Sequence, residues 1–389
     1  MFLGKSVLAS FMLSTAVMVS GPNGEKVADP HISAPVLVVS EKPGASTESE
    51  TAGRPENSEK ADRDKRTESL NESKAADTSE NSEKLEESDA ARDVGEAEAS
   101  DTYEDTAEEN QQTETSEPAE GTVLTMLASE GKAQMLSVLI QSDEGKLVVI
   151  DGGWESDGDR LLEKIQEKGG SVDAWLITHP HADHTGALYH ILRNRSDEVD
   201  INKIYYSFAP AAWYKEVEPD EASVAVNLLE EFEKLPEDML CGDIGKNDTI
   251  NVDNLRITVM NDRYTLDIDP VNNSSIVYKL ETCGKKILFL GDLSYDGGAR
   301  LVREGGDSIK ADIVQMAHHG QNGIGQSAYE TISPKICLWP TPQWLWDNDN
   351  GNGYNSGLWH TLATRRWMEG IGVEENYCTK DGDIVLQLD

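Results

Sequence analysis

Basic residues are scarce in this 389-residue chain: 34 Lys and Arg stand against 72 Asp and Glu, for a formal net charge of −38. About half of that charge falls in the region up to residue 121, so the remainder is acidic too. Such a surface repels polyanions and offers no basic stripe, which leaves nucleic acid possible but disfavoured as a partner. The four cysteines (Cys241, Cys283, Cys337 and Cys378) form no CxxC pair, so their spacing points to no thiolate metal or redox motif. They allow three disulfide pairings or four buried thiols. Aromatic residues make up 6%, and residues 41–121 contain just one, Tyr103. Acidic residues outnumber basic ones there roughly three to one, too little apolar surface to offset chain entropy. Residues 22–121 are therefore expected to form a solvated, disordered linker with biased Ser/Glu/Lys/Asp usage and no fixed repeat.

Long apolar runs are missing except near the start, where Lys5 precedes Val7–Val19 and then Ser20–Gly21–Pro22. A weakly basic start, a short apolar stretch and small residues fit a secretory signal over residues 1–21. An uncleaved anchor or a buried N-terminal helix would use the same residues. The expected location is extracytoplasmic, with membrane contact only through an uncleaved N-terminus. From about residue 122 the composition changes. "TVLTMLASEGKAQMLSVLIQSDEGKLVVIDGG" alternates strand-like runs with turns, and "DRLLEKIQEKGG" has helical spacing. Hairpins are expected in "GKNDTINVDNLRITVMN" and, turning at Cys283–Gly284, in "SSIVYKLETCGKKILFLGDL". Strand-rich halves that each carry helices predict two packed sheets with helices outside, over 122–389.

Histidine is also rare, with eight in the chain, yet three stand within "HPHADH". The apolar Ala174–Ile177 reads as a buried strand and Gly186 as the start of a helix, which places the cluster on a strand-end loop. His179 and His181, two apart on an extended loop, can reach one ion, while Asp183 and His184 can turn to a second beside it. Further donors appear abruptly at apolar strand ends: Asp292 in "ILFLGDLSYDG" and His318–His319 in "ADIVQMAHHGQNG". One shared centre of two divalent ions accounts for them together. Zinc fits the imidazole and carboxylate mixture, as do manganese and iron.

HPHADH resembles the His-x-His-x-Asp-His signature of the metallo-β-lactamase superfamily. "LVVIDGG" and "LGDL" are similar to two further motifs of that superfamily. The resemblance implies an αββα four-layer sandwich, Asp151 as the group that steadies the histidine loop, and Asp292 as a carboxylate shared by both metals. Within the superfamily, "EGKAQMLSVLI", "NNSSIVYKL" and "ADIVQMAHHGQNG" are most similar to the hydrolase domain of ComEC-type competence proteins and to bacterial phosphorylcholine esterase modules. Likeness to the latter implies His319 as the ligand of the second metal, leaving His318 free to touch substrate or to protonate a leaving group, or to serve a plain structural role. Alternation along a strand also argues that the two do not bind one ion equally.

One departure stands out. Most members place another histidine on the first metal, just before the strand leading to the shared aspartate; here that place reads Asn272–Asn273–Ser274–Ser275. Asn272 and Ser274 are expected to support the site, and His190, at helical spacing in "ALYHILRN", to be an ordinary helix residue. Paired divalent ions generate hydroxide near neutral pH and stabilise attacking and leaving oxygens, with Asp183 and His318 as the candidate catalytic side chains. Zinc β-lactamases usually carry cysteine or histidine where this chain has Asp292, so a phosphoester, on a small molecule or a cell-surface polymer, is the expected substrate. A catalytically weak metal-binding module that binds cell-surface polymer is the alternative. Trp344, Trp346 and His360 lie in a Gly/Asn-rich segment where aromatics can cage or stack on substrate, or simply plug the core edge.

Overall fold

In the computed structural model the described residues are 121–389; the expected signal and all but the last residue of the expected linker lie outside them. Two seven-stranded sheets stack face to face. The first runs, edge to edge, Ile384–Gln387, Val123–Met126, Ser137–Gln141, Leu147–Asp151, Ala174–Leu176, Ile204–Tyr205 and Leu240–Cys241. The second runs Glu375–Cys378, Ile336–Trp339, Ile313–Gln315, Lys285–Phe289, Tyr278–Thr282, Leu255–Val259 and Thr249–Val252. Both hairpins expected from sequence are present, with Thr282 paired to Lys285 around a Cys283–Gly284 turn in which both residues have positive φ.

The two-residue period of a strand sorts its apolar side chains into layers. Val148 and Ile150 face the core between the sheets, joined there by Ile287 and Phe289 of the opposite sheet. Their neighbours Leu147 and Val149 face outward onto the helices Gly158–Glu167, Ala182–Asn194 and Ala222–Phe232. Leu288 and Val314 likewise face out from the second sheet, toward Tyr295–Gly305, Gln326–Ile332 and Thr361–Ile371. Strands buried on both sides require apolar residues at successive positions, which "LVVI" and "KILFL" supply. The result is the αββα four-layer sandwich. None of the four cysteines is disulfide-bonded.

The last two strands do not form the local hairpin that their closeness in sequence suggests. Glu375–Cys378 extends the second sheet, whereas Ile384–Gln387 crosses over and pairs antiparallel with Val123–Met126 in the first. The turn between them (Thr379–Asp381) is the bridge that lets one short segment serve both sheets.

Candidate metal centre

The strand Leu147–Asp151 ends on Asp151, a buried non-glycine residue at φ +55. That left-handed backbone aims the carboxylate back beneath the neighbouring strand end, where it is fully engaged. Its Oδ1 accepts from the Thr178 amide at 2.8 Å, and its Oδ2 accepts from the Thr178 hydroxyl at 2.7 Å. His184 Nδ1 lies 2.7 Å from the same Oδ2 and donates to it. Thr178 has only one hydroxyl proton and gives it to Asp151. Its oxygen therefore accepts from His179 Nδ1, 3.1 Å away. One aspartate thus orients two imidazoles so that each turns its Nε2 away from it and toward the other donors, His184 directly and His179 through Thr178.

The sequence reading placed the helix start at Gly186; the helix begins at Ala182, with His181 as the residue before its first turn. Asp183 and His184 are therefore helical, held in the first turn where exposed amides favour an acidic side chain. Gly186 serves another purpose. A Cβ there would lie 2.4 Å from the Glu155 amide nitrogen, so the glycine lets the helix pack directly on the Trp154–Glu155 backbone.

From the second sheet, "LFLGD" delivers Asp292 and "VQMAHH" delivers His319. Gln315 clamps these two loops together: its Oε1 accepts from Leu290 and Gly291 amides, and its Nε2 donates to Gly291 and Met316 carbonyls, all between 2.7 and 3.1 Å. His318 and His319 lie beyond the strand in consecutive left-handed conformations, φ +51 and +53. Strand alternation does not govern them, and both rings turn toward Asp292. The distances still differ: His319 Nε2 is 3.2 Å from Asp292 Oδ2, and His318 Nε2 is 3.8 Å.

Asp183, His184, Asp292 and His319, all buried, place one ligand atom each within 4.8 Å of one another. Asp292 Oδ1 approaches His184 Nε2 at 3.2 Å, and Asp183 Oδ2 approaches His319 Nε2 at 3.1 Å. Yet His184 Nε2, His319 Nε2 and Asp292 Oδ1 have no aligned hydrogen-bond partner. Orphaned buried polar atoms carry a large desolvation cost, and a divalent cation among these donors removes it. The residues fit such an ion. Alongside, His179 Nε2 and His181 Nδ1 converge at 3.0 Å, and the His179 and His184 rings are 4.2 Å apart.

A sequence profile of the Metallo-beta-lactamase superfamily matches residues 132–333, a span that holds all six of these residues. The chain belongs to that superfamily. It is 25% identical over 240 residues to ComE operon protein 3 of Bacillus subtilis (strain 168), covering 54% of this chain and 28% of that protein. It is 27% identical over 179 residues to Endoribonuclease YSH1 of Mycosarcoma maydis, covering 44% of this chain and 20% of that one. The matched stretch is thus less than a third of either relative. Among solved structures, the metallo-beta-lactamase fold protein YhfI from Bacillus subtilis aligns with 68% of this chain and 99% of its own, at 12% identity and a TM-score of 0.43.

The electrostatics of this superfamily site follow from burial opposed by charge. Burial disfavours the charged forms of His184 and His319, but Asp292 and the neighbouring carboxylates outweigh it. His184 is raised well above 6.5 and His319 to about 9. Burial would also raise Asp183 and Asp292, yet His184 and His319 pull both below 3.8, so both remain carboxylates. Burial, reinforced by its histidine neighbours, lowers His179 well below 6.5 and keeps it neutral.

The structure redistributes the supporting roles expected of Asn272 and Ser274. Ser274 Oγ donates to the Val271 carbonyl and does not face the aspartate loop. Ser275 does: its Oγ accepts from the Asp292 amide at 3.1 Å. Asn273 Oδ1 accepts from the Ser294 and Gly297 amides beyond it. Asn272 donates to Asp269 and leaves its own buried oxygen without a partner. A short 3-10 turn over Asn272–Ser274 directs these side chains, so that Asn273 and Ser275, rather than Ser274, hold the amides of the aspartate loop. His190 lies in the helix Ala182–Asn194, and its Nε2 pairs with Asp159 of the neighbouring helix Gly158–Glu167 at 3.1 Å. Trp346 has the Arg365 guanidinium 4.0 Å over its ring and meets Trp339 at nearly a right angle with centroids 5.2 Å apart, so it is engaged in packing. Trp344 packs edge-on against Trp359 and donates to the Lys132 carbonyl. Of the three expected substrate contacts, His360 borders a cavity of about 300 Å³ that Ser294 and Gln321 also line, whereas Trp344 and Trp346 do not.

Proposed function

We propose that this domain is a binuclear metal-dependent hydrolase acting on a phosphoester. Asp183, His184, Asp292 and His319 hold one divalent ion, and His179, His181 and the shared Asp292 hold the other. Zinc is the favoured metal, with manganese or iron compatible with the same donors. The observation that carries this reading is the convergence of buried, unpartnered donor atoms of His184, Asp292 and His319 beside the facing nitrogens of His179 and His181. Bound divalent ions supply a nucleophile at neutral pH and a charge clamp for both oxygens of a displacement. The chain's own residues set its geometry. Asp292, with Oδ1 beside His184 and Oδ2 beside His319, is the carboxylate that both ions would share, and Asp183 stays ionised opposite His319. His318 stands at the rim, partly exposed, and burial lowers its pKa. It is neutral at pH 7 and placed to exchange a proton with a leaving oxygen.

An aspartate at 292, rather than a thiolate or imidazole, favours phosphoester over lactam chemistry, and a nuclease among the relatives points the same way. The acidic chain favours a small phosphodiester or a cell-surface polymer over DNA. The apolar stretch Val7–Val19 supports an extracytoplasmic location as part of this reading; among the described residues no helix is long and apolar enough to cross a membrane. The test is metal analysis joined to a substrate panel of bis-p-nitrophenyl phosphate, p-nitrophenyl phosphorylcholine, single-stranded DNA and a β-lactam. Two metal equivalents with chelator-sensitive turnover of a phosphoester are expected. Turnover of the lactam alone, or metal binding with no turnover, rejects the proposal; the second outcome leaves a polymer-binding module.

A further inference from the structure

His181 lies outside the network that Asp151 organises. Its Nε2 is 2.9 Å from Glu218 Oε2, and its Nδ1 is 3.0 Å from His179 Nε2. A carboxylate only accepts hydrogen bonds, so the proton of a neutral His181 sits on Nε2 and the lone pair on Nδ1. His179 carries its proton on Nδ1, toward Thr178, so its lone pair is on Nε2. With both rings neutral, two lone pairs would face each other across that 3.0 Å, an arrangement that a cation beside both relieves.

We infer that Glu218 is a positioning residue that fixes the His181 tautomer and thereby sustains the first metal position, which the Asn272–Ser275 segment leaves without a third histidine. This rests on the binuclear reading above. Glu218 comes from an element separate from the strand-end loops that carry the other donors. It sits between the helices Ala211–Val217 and Ala222–Phe232, on the outer face of the first sheet. Its backbone is pinned there: its amide donates to Tyr214, and its carbonyl accepts from Glu221 and Ala222. A carboxylate behind a ligating imidazole orients the ring and raises its basicity, which matters most where protein ligands are few. Glu221 is a natural control. Its Oε2 is 3.9 Å from His181 Nε2, beyond hydrogen-bonding distance, and its side chain is 61% exposed.

Zinc titration calorimetry on the metal-free full chain, paired with long-range proton–nitrogen correlation of the His181 ring, tests the inference. Glu218→Ala should weaken one of the two ions about 10- to 100-fold and leave the other unchanged. In the same variant the His181 Nε2–H signature should give way to mixed tautomers. Glu218→Gln, whose amide oxygen still accepts, should keep the signature and most of the affinity; Glu221→Ala should match the wild type. Unchanged binding of both ions in Glu218→Ala, or an unchanged His181 signature, overturns the inference. So does a third zinc equivalent that abolishes the Nε2–H signal, since Glu218 would then be a ligand itself. A wild type that binds no zinc refutes the hydrolase reading instead, and the metal-free ring signature still reports whether Glu218 holds His181.

Discussion

Asp151 and Asp292 are both buried carboxylates among histidines, but they answer different demands. Every contact of Asp151 is a hydrogen bond already made, so Asp151→Asn turns an accepted proton into a clash of donors at Thr178 or His184. A loss of about 3–5 kcal/mol, the usual cost of breaking a buried charged pair, is expected in urea unfolding of the metal-free domain. Asp292 instead leaves Oδ1 unpartnered, and Asp292→Ala should cost the protein both metal equivalents and its hydrolysis; retention of two ions by metal analysis would refute the shared role. Protons stand in for the cation when no metal is bound. The folded-state pKa values of His184 and His319 are raised, so their contribution to stability is complete below pH 6.5; that of His319 is lost as pH rises through about 9, and that of His184 as pH rises through its own raised value. The metal-free domain should therefore have a lower urea midpoint at pH 9 than at pH 6.5, and added zinc should restore more stability at the higher pH because fewer protons must leave. A midpoint that rises over this interval would contradict that assignment. The candidate donors stood out in sequence because HPHADH packs rare residues into six positions, although the helix start inside it did not. Glu218 did not stand out either: nothing local distinguishes it from the other glutamates of an acidic chain, and only the fold brings it to His181.

Among the elements, turns declared themselves and helix starts did not. Cys283–Gly284 sits between two apolar runs and forces a tight reversal, so both flanking strands were readable. The helix carrying Asp183 and His184 begins without a capping side chain, and its glycine misleads, because Gly186 is there for packing rather than to mark the helix start. Gly186→Ala tests this. If glycine were only a weak helix residue, alanine would stabilise the helix by up to about 1 kcal/mol. Contact with the Trp154–Glu155 backbone predicts a loss of about 1–3 kcal/mol instead. Because the same helix turn carries His184, zinc affinity should fall with it; thermal unfolding and zinc titration of the one variant check both. The 3-10 turn at Asn272–Ser274 was invisible for a similar reason: polar residues in a row carry no periodicity, so nothing fixed which of them would face Asp292.

At the scale of the whole molecule, apolar runs at strand spacing were enough to place two sheets and their outer helices. They were not enough to say that the final strand belongs to the first sheet, since pairing between distant segments leaves no local pattern. Ile384–Gln387 covers the outer edge of Val123–Met126, and Ile384 and Leu388 fill the core between the sheets. Removal of residues 383–389 should thus lower the melting temperature of the entire domain in a single transition, by at least the several degrees that 1–2 kcal/mol represents at this size. A separate early transition, with the remainder melting as before, would show instead that the strand is an appendage.

Gln315 spends both ends of one amide on the two loops that bear Asp292 and His319, so those positions behave as a single variable. Thermodynamic coupling is the consequence: defects introduced at 292, 315 and 319 cannot add, because the first to be made already releases the others. Gln315→Leu would preserve every donor atom and surrender their spacing. A redesign that aims to admit a larger ion, or a different bridging group, has to change all three together.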